Sequence, residues 1–530
     1  MFFDSRRSSI LATNGMVATS QPLAAATGLR ILMEGGNAVD AAIAAAATLN
    51  VVEPGSTGVG GDMFALVWDN KEKSVRALNG SGRAPGAASI DELLNKGHAA
   101  MPGIGVYSVA TPGTVHGWET LLDSCGSMPM SKVLGPAISY AENGYPVSDI
   151  ISFQWRQQLG KLSTFPSGAE MLHNGGAPSQ GDLMKLPTLA ATLRAIAEGG
   201  SDAFYKGPIA EKTAAFVQEH GGWLTVEDLA SHTSDWDEPI STDYRGVTCW
   251  ECPPNGQGIA ALEALNIAEG FDIKGMGAQS PDAYHHLIEA MRLGFADAFQ
   301  YVADPRKTQV PINELASKKF ATTRRALMDT KKAMATVPYG QVQKGSDTVY
   351  ISVVDGQGNA CSFINSLFDH FGSGMVVPGT GIVLHNRASL FSLDPNHANA
   401  LAPHKRPYNT IIPGMATIGG ELHLSYGMMG AFMQPQGHLQ LISNMVDHDM
   451  DPQQAINALR FMVSNDSVIL EEGLDPTVAR ELQSRGHKVG QITGYNRVSI
   501  GGAQIIQRDP ETGILRGGSE PRKDGCAIGY

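Results

Sequence analysis

An α+β sandwich of packed layers is the fold class this sequence predicts, on three observations. Apolar residues recur at helical spacing in several segments that begin or end with recognisable caps. β-Branched and aromatic runs of strand length lie between clusters of Gly, Asn, Asp and Pro. The two kinds of segment do not follow one another as regular βαβ units, which favours stacked layers over a Rossmann sheet or a barrel. With 530 residues, 42% of them hydrophobic, the chain can bury a large core, and neither an internal repeat nor a low-complexity linker divides it.

Taken in order, Gln21 to Met33 has helical spacing and stops at Gly35-Gly36. Asn37 then caps a second helix, with Asp40 in the capping-box position. The run AAIAAAATLNVV inside that helix is too short and small-sided to span a bilayer, so it reads as buried helix. Residues 62–68 form a strand, 186–198 and 208–219 helices, and VTCWECPP a strand stopped by its prolines. Helices follow at 256–268 and 281–301. Strands 348–355 and 360–367, joined by the turn residues DGQGN, make a hairpin. Strands at 411–418 and 421–427 and helices at 453–462 and 475–485 complete the series.

Composition excludes several functions. A formal charge of -13 and a pI near 5.6 leave no basic footprint for nucleic acid. Arg6 and Arg7 are followed by Ser, Thr and Asn rather than an apolar stretch, and no long apolar run occurs elsewhere. Neither a signal peptide nor a membrane span is therefore expected, and the cytoplasm is the expected compartment. Five cysteines, an odd and sparse set, fit a reducing environment. Cys249 and Cys252 have the spacing of a zinc or redox half-site without a second pair to complete it. GSTGVGGD, from Gly55 to Asp62, lacks the Lys-Ser/Thr of a phosphate loop. His285 and Glu289 lie four apart on one helix face with no third ligand visible, so no metal or other cofactor is expected. GxSxG and HExxH are both absent.

The remaining candidate nucleophile is Thr348, in KGSDTVYISVVDGQGNACSF. A threonine opening a strand needs no function beyond β-propensity. A cut between Asp347 and Thr348, however, would place a hydroxyl nucleophile and an α-amine base on one residue. The reference pKa of that amine, about 7.7–8.0, suits it to accept the hydroxyl proton without a histidine. Gly345, Ser346 and Asp347 are turn formers that tolerate the distorted backbone such a cut requires.

Nine ordered segments carry a wider resemblance: GGNAVDAAIAAAATLNVVEP, GSTGVGGDMF, ATPGTVHGW, AENGYPVS, PPNGQGIAALEALNI, DTVYISVVDGQGNA, FGSGMVVPGTGIVLHN, KRPYNTIIP and DPETGILRGGSEPRKDGCAIGY. Together they resemble the γ-glutamyltransferase family of N-terminal-nucleophile hydrolases over nearly the whole chain. The resemblance implies a four-layer αββα sandwich, made as a precursor that cleaves itself into intertwined chains, 1–347 and 348–530, forming one globular unit. It also implies an acyl-threonine intermediate on Thr348. Gly430 and Ala431 match the family's oxyanion donors, Ser366 the hydroxyl bonded to the nucleophile, and Asn409 and Thr410 its paired serines. The implied partners are a small-molecule amide and the two chains of the precursor; a homodimer is left open.

The sequence departs from the family where the γ-glutamyl group is recognised. Ser81 replaces the carboxylate-binding arginine, with Arg83 two residues on. In HNRASL, Asn386 is kept, but Arg387 stands at a glutamine position and Leu390 at that of the ammonium-binding aspartate. Phe368 replaces an asparagine after the hairpin. Arg387 without that acid suits a carboxylate-bearing donor lacking an α-ammonium, so an acidic monoamide such as oxamate is the expected substrate. A surface ion pair is the other reading of Arg387. γ-Glutamyl compounds are the alternative substrates, and an unprocessed, silent binding protein is the alternative of a different class.

Overall fold

The computed structural model describes residues 7–337 and 348–530. Its centre is two seven-stranded sheets laid face to face. From edge to edge, one runs Cys526–Gly529, Met16–Thr19, Val349–Val354, Ala360–Ser366, Asp62–Asp69, Ser74–Gly80 and Asp235–Asp237. The other runs Ile10–Ala12, Leu515–Ser519, Gly502–Arg508, Glu421–Met429, Pro413–Ile418, Val247–Glu251 and Ile240–Tyr244. Every neighbouring pair is antiparallel. Met16, Phe64, Trp68, Tyr350, Ile364, Met415 and Ile506 fill the space between the sheets.

Helices cover both outer faces, because each sheet has a second apolar surface to bury. On the first sheet, Ala38–Val52 packs its alanines against Val349, Ile351 and Val353 and is buried along its whole length. Its Asn37 and Asp40 form the expected capping box. On the second, Gly258–Ala268 and Pro281–Tyr301 pack with Met433–Val446 around Ala416, Leu424 and Met428. The layers are thus α, β, β, α. The hairpin of 348–367 forms in register, Val349 opposite Asn365 and Val354 opposite Ala360.

One element differs from expectation. The helix anticipated over 453–462 stops after Pro452–Asn457, and Phe461–Ser464 is a strand of a separate three-stranded sheet with Ser467–Glu471 and Lys488–Ile492. Phe461 and Val463 alternate inward with Met462 and Ser464, and the ladder to Leu470 and Val468 overrides the local helical spacing. Among the described residues, no helix is long and apolar enough to cross a membrane.

Candidate active site

Thr348 stands at the head of Val349–Val354, fully buried. Its Oγ1 donates to Ser366 Oγ at 3.0 Å, and that oxygen accepts the Phe368 amide at 2.8 Å. The hairpin register brings the two hydroxyls together, since Val349 lies opposite Asn365 and Ser366 is the next residue out. Asp347 lies outside the described residues, so the bond at which cleavage is expected has no geometry to report.

The contacts across the two sheets locate the oxyanion candidates. Ser352 Oγ donates to Ser425 Oγ at 2.8 Å, and two residues back the Tyr350 ring lies over Gly427, where a Cβ would come within 2.4 Å of it. The same two-residue step sets Thr348 against the end of Glu421–Met429. There Gly430, at φ 120°, and Ala431, at φ 49°, turn the chain into the helix Met433–Val446. Among the described residues, neither amide of this turn finds an acceptor.

Beside the hydroxyl pair is a buried ionic cluster. Asp62 pairs with Ser366 across the sheet. Its Oδ1 accepts the Gly82 amide at 3.0 Å, and its Oδ2 accepts Arg387 Nε and Asn409 Nδ2, each at 3.3 Å. Arg387 Nη1 donates to Thr410 Oγ1 at 2.7 Å, and the guanidinium lies 4.7 Å from the centre of the Phe368 ring. Arg387 is fully buried, so the surface ion-pair reading is wrong: a solvated arginine would not sit between Asp62 and an aromatic face. Burial pushes its pKa down to about 10 against the pull of Asp62, and the residue remains a cation at neutral pH. Asp62 partly offsets its charge. The Nη2 amino group has no acceptor among the described residues.

Two expected binding residues do not join this cluster. Arg83 turns towards Asp235, at 2.9 Å, and the Thr233 carbonyl, at 3.1 Å. Asn386 spends its amide on the Gly103 carbonyl at 2.8 Å and Asp369 Oδ2 at 2.9 Å, and accepts the Asp369 amide at 3.1 Å, so it shapes the wall instead of facing the centre. Ser81 Oγ donates to Asn79 Oδ1 at 2.7 Å, and the Ser81 carbonyl accepts Arg406 Nε at 2.9 Å. Leu390 packs against the apolar core of the second sheet.

Sequence reasoning missed Asp62, although it ends the glycine-rich segment discounted as a phosphate loop. The glycines explain why. A Cβ on Gly61 would stand 2.4 Å from the Ser366 carbonyl oxygen, and one on Gly60 2.2 Å from that of Val383. They let the backbone close against the hairpin that Thr348 opens. Of the other motifs set aside, Glu289 is engaged by Arg292 at 2.6 Å and the Met334 amide at 2.8 Å, while His285 bonds His487 at 2.8 Å. Burial pushes the Cys249 and Cys252 thiols up, away from the thiolate form.

A buried threonine hydroxyl heading a central strand of an αββα sandwich, with a hydroxyl partner and a glycine turn opposite, defines the N-terminal-nucleophile hydrolase class. Comparison with known proteins narrows this. Residues 24–530 match the family model described as gamma-glutamyltranspeptidase. The glutathione hydrolase-like YwrD proenzyme of Bacillus subtilis is 38% identical, over 98% of this chain and 99% of its own length. The oxamate amidohydrolase proenzyme of Klebsiella pneumoniae is 34% identical over 99% and 100%. A crystal structure of cephalosporin acylase from Bacillus halodurans superposes with a TM-score of 0.93 at 44% identity, covering 99% of this chain and 97% of that one. The chain belongs to the gamma-glutamyltranspeptidase family, as an amide-cleaving or acyl-transferring enzyme of it.

Proposed function

We propose that the chain cuts itself before Thr348 and then hydrolyses a small acidic monoamide, of which oxamate is the simplest. In maturation, Thr348 Oγ1 adds to the Asp347 carbonyl and the acyl group passes from nitrogen to oxygen. Water then hydrolyses the ester, freeing the Asp347 carboxylate and the Thr348 amine. In turnover the freed amine takes the hydroxyl proton, the oxygen attacks the substrate carbonyl, and the leaving amine departs with a proton. Water releases the acid from the acyl-threonine. Ser366 orients the hydroxyl through the 3.0 Å contact. The Gly430 and Ala431 amides are the assigned donors to the oxyanion.

The observation that carries the substrate is Arg387 Nη2: a buried guanidinium nitrogen without an acceptor among the described residues, on a side chain already held by Asp62 and Thr410. An unsatisfied buried donor costs about 1–3 kcal/mol, more when charged, and a substrate carboxylate removes that cost. Asn409 and Thr410 line the same subsite. A γ-glutamyl donor is the second reading, favoured by the name of the Bacillus subtilis relative. It brings an ammonium that Leu390 cannot pair, and leaving a buried charge unpaired costs about 3–5 kcal/mol.

The test is a panel of oxamate, a glutaryl amide, a γ-glutamyl anilide and glutathione with the purified protein, read as released amine, beside a denaturing gel. Two chains and preference for the ammonium-free acids support the reading. A clear preference for γ-glutamyl compounds replaces the substrate class. A single chain near 56.1 kDa that turns over nothing leaves the silent binding protein.

A further inference from the structure

Two segments of the proposed site lie at the two ends of one β-hairpin, Pro413–Ile418 with Glu421–Met429: the stretch with Asn409 and Thr410, which holds Arg387, and the turn of Gly430 and Ala431. A buried side chain from outside the hairpin bridges them. Gln257 Nε2 donates to the Thr410 carbonyl at 2.7 Å and to the Ala431 carbonyl at 2.9 Å. Its Oε1 accepts the Tyr408 hydroxyl at 3.0 Å, and its backbone amide donates to the Asn409 carbonyl at 3.0 Å. Gln257 is wholly buried, just ahead of the helix Gly258–Ala268, and both amide hydrogens and one lone pair are thus assigned.

The partners give these bonds a consequence. Ala431 lies in the left-handed region at φ 49°, which a residue with a Cβ adopts at a cost of about 1–2 kcal/mol. A backbone so placed keeps its orientation only if its surroundings hold it. The Ala431 carbonyl is held by Gln257 and, more weakly, by the Gln434 amide at 3.1 Å. On the other side, Thr410 presents its hydroxyl to Arg387 while Gln257 fixes its carbonyl.

We propose that Gln257 is a positioning residue that locks the acid-binding segment and the oxyanion turn into one rigid unit, so that a donor held at Arg387 presents its carbonyl at the correct place. The inference rests on the proposed roles of Arg387 and of the Gly430–Ala431 turn. A second strap, from the Ile412 amide to Gln434 Oε1 at 2.9 Å, joins the same two segments, so the fold does not depend on Gln257 alone.

The experiment compares wild type with Gln257→Met and Gln257→Glu, each checked for folding by thermal melting. It reads the rate of self-cleavage, and kcat and KM for oxamate. Methionine keeps the volume and removes both donors. We expect kcat and the self-cleavage rate to fall about tenfold to a hundredfold, below the loss from deleting an oxyanion donor outright, with KM changed much less. Glutamate facing two carbonyls can donate only when protonated, and burial raises its pKa. The activity of Gln257→Glu relative to wild type should therefore rise as pH falls, a response that a packing role does not produce. Folded variants that mature and turn over at the wild-type rate, or a flat Gln257→Glu ratio across pH, overturn the proposal. A wild type that matures but ignores every acidic monoamide refutes the substrate reading instead, and the self-cleavage rates still decide on Gln257.

Discussion

Replacing Arg387 by lysine tests the acid subsite without removing the cation that Asp62 needs. In the native cluster the guanidinium divides its donors: Nε to Asp62 at 3.3 Å, Nη1 to Thr410 at 2.7 Å, and Nη2 to nothing in the described protein. A single ammonium cannot serve Asp62 and a substrate carboxylate from the same positions, because the three donor nitrogens of a guanidinium are spread over a plane. The expected loss is one charge-assisted hydrogen bond, about 1.5–3 kcal/mol, or roughly ten- to 150-fold in kcat/KM for oxamate. Self-cleavage uses no substrate carboxylate, so its rate should stay within about twofold. Arg387→Ala is the harsher variant: it also strands Asp62, with a stability cost of about 3–5 kcal/mol. The measurement is kcat/KM for oxamate alongside the half-time of chain cleavage in wild type and Arg387→Lys. Unchanged oxamate turnover, or equal loss of maturation and turnover, refutes the assignment of Nη2 to the substrate.

Two further outcomes follow from the geometry. Thr348→Ala should run as one chain near 56.1 kDa, whereas wild type should give a smaller chain whose N-terminal sequence starts at Thr348; two chains from the alanine variant would show that another group makes the cut. Glu53, buried among Ser20 and Ser56, has its carboxyl pushed up from 4.5 to about 7 by burial. The folded protein therefore holds a proton that the unfolded chain has released, so this contribution to stability is whole below pH 4.5 and is lost as pH rises through 7, by about 3 kcal/mol in total. Glu53→Gln should flatten that part of the pH dependence in urea titrations, and an unaltered slope between pH 5 and 7.5 would count against it.

Much of this was legible because the signals were local. The capping box at Asn37, the turn residues of the 355–359 segment and the β-branched run after Thr348 each specify their structure within a few residues. The strand Phe461–Ser464 was not, since its pairing with Ser467–Glu471 outweighs a helical spacing that continues from the preceding turn. The same division holds at the site. Thr348 and Ser366 meet through a hairpin that the sequence announces. Asp62 and Gln257 reach the centre through contacts spanning 325 and 153 residues, and no local pattern encodes them. Arg83 misled for the converse reason: proximity in sequence to Ser81 says nothing about direction, and its guanidinium turns to Asp235.

The strand order bears on how a chain cut before Thr348 would hold together. In the sheet that contains Thr348's strand, Cys526–Gly529 and Val349–Val354 flank Met16–Thr19, and Ala360–Ser366 pairs with Asp62–Asp69. In the other, Leu515–Ser519 pairs with Ile10–Ala12, and Pro413–Ile418 with Val247–Glu251. Each of these ladders joins a segment before residue 347 to one after it, so the two products could part only by opening both sheets and the apolar layer between them. That is the cost of global unfolding, not of dissociation at a surface. Cleavage there would free the α-amine of Thr348 without loosening what surrounds it: Ser366 and Asp62 are fixed by a ladder that spans the cut, and the Gly430 turn by one that lies wholly after it. A nucleophile made by breaking the backbone needs this arrangement, because the new terminus would otherwise lose the register that sets its hydroxyl 3.0 Å from Ser366.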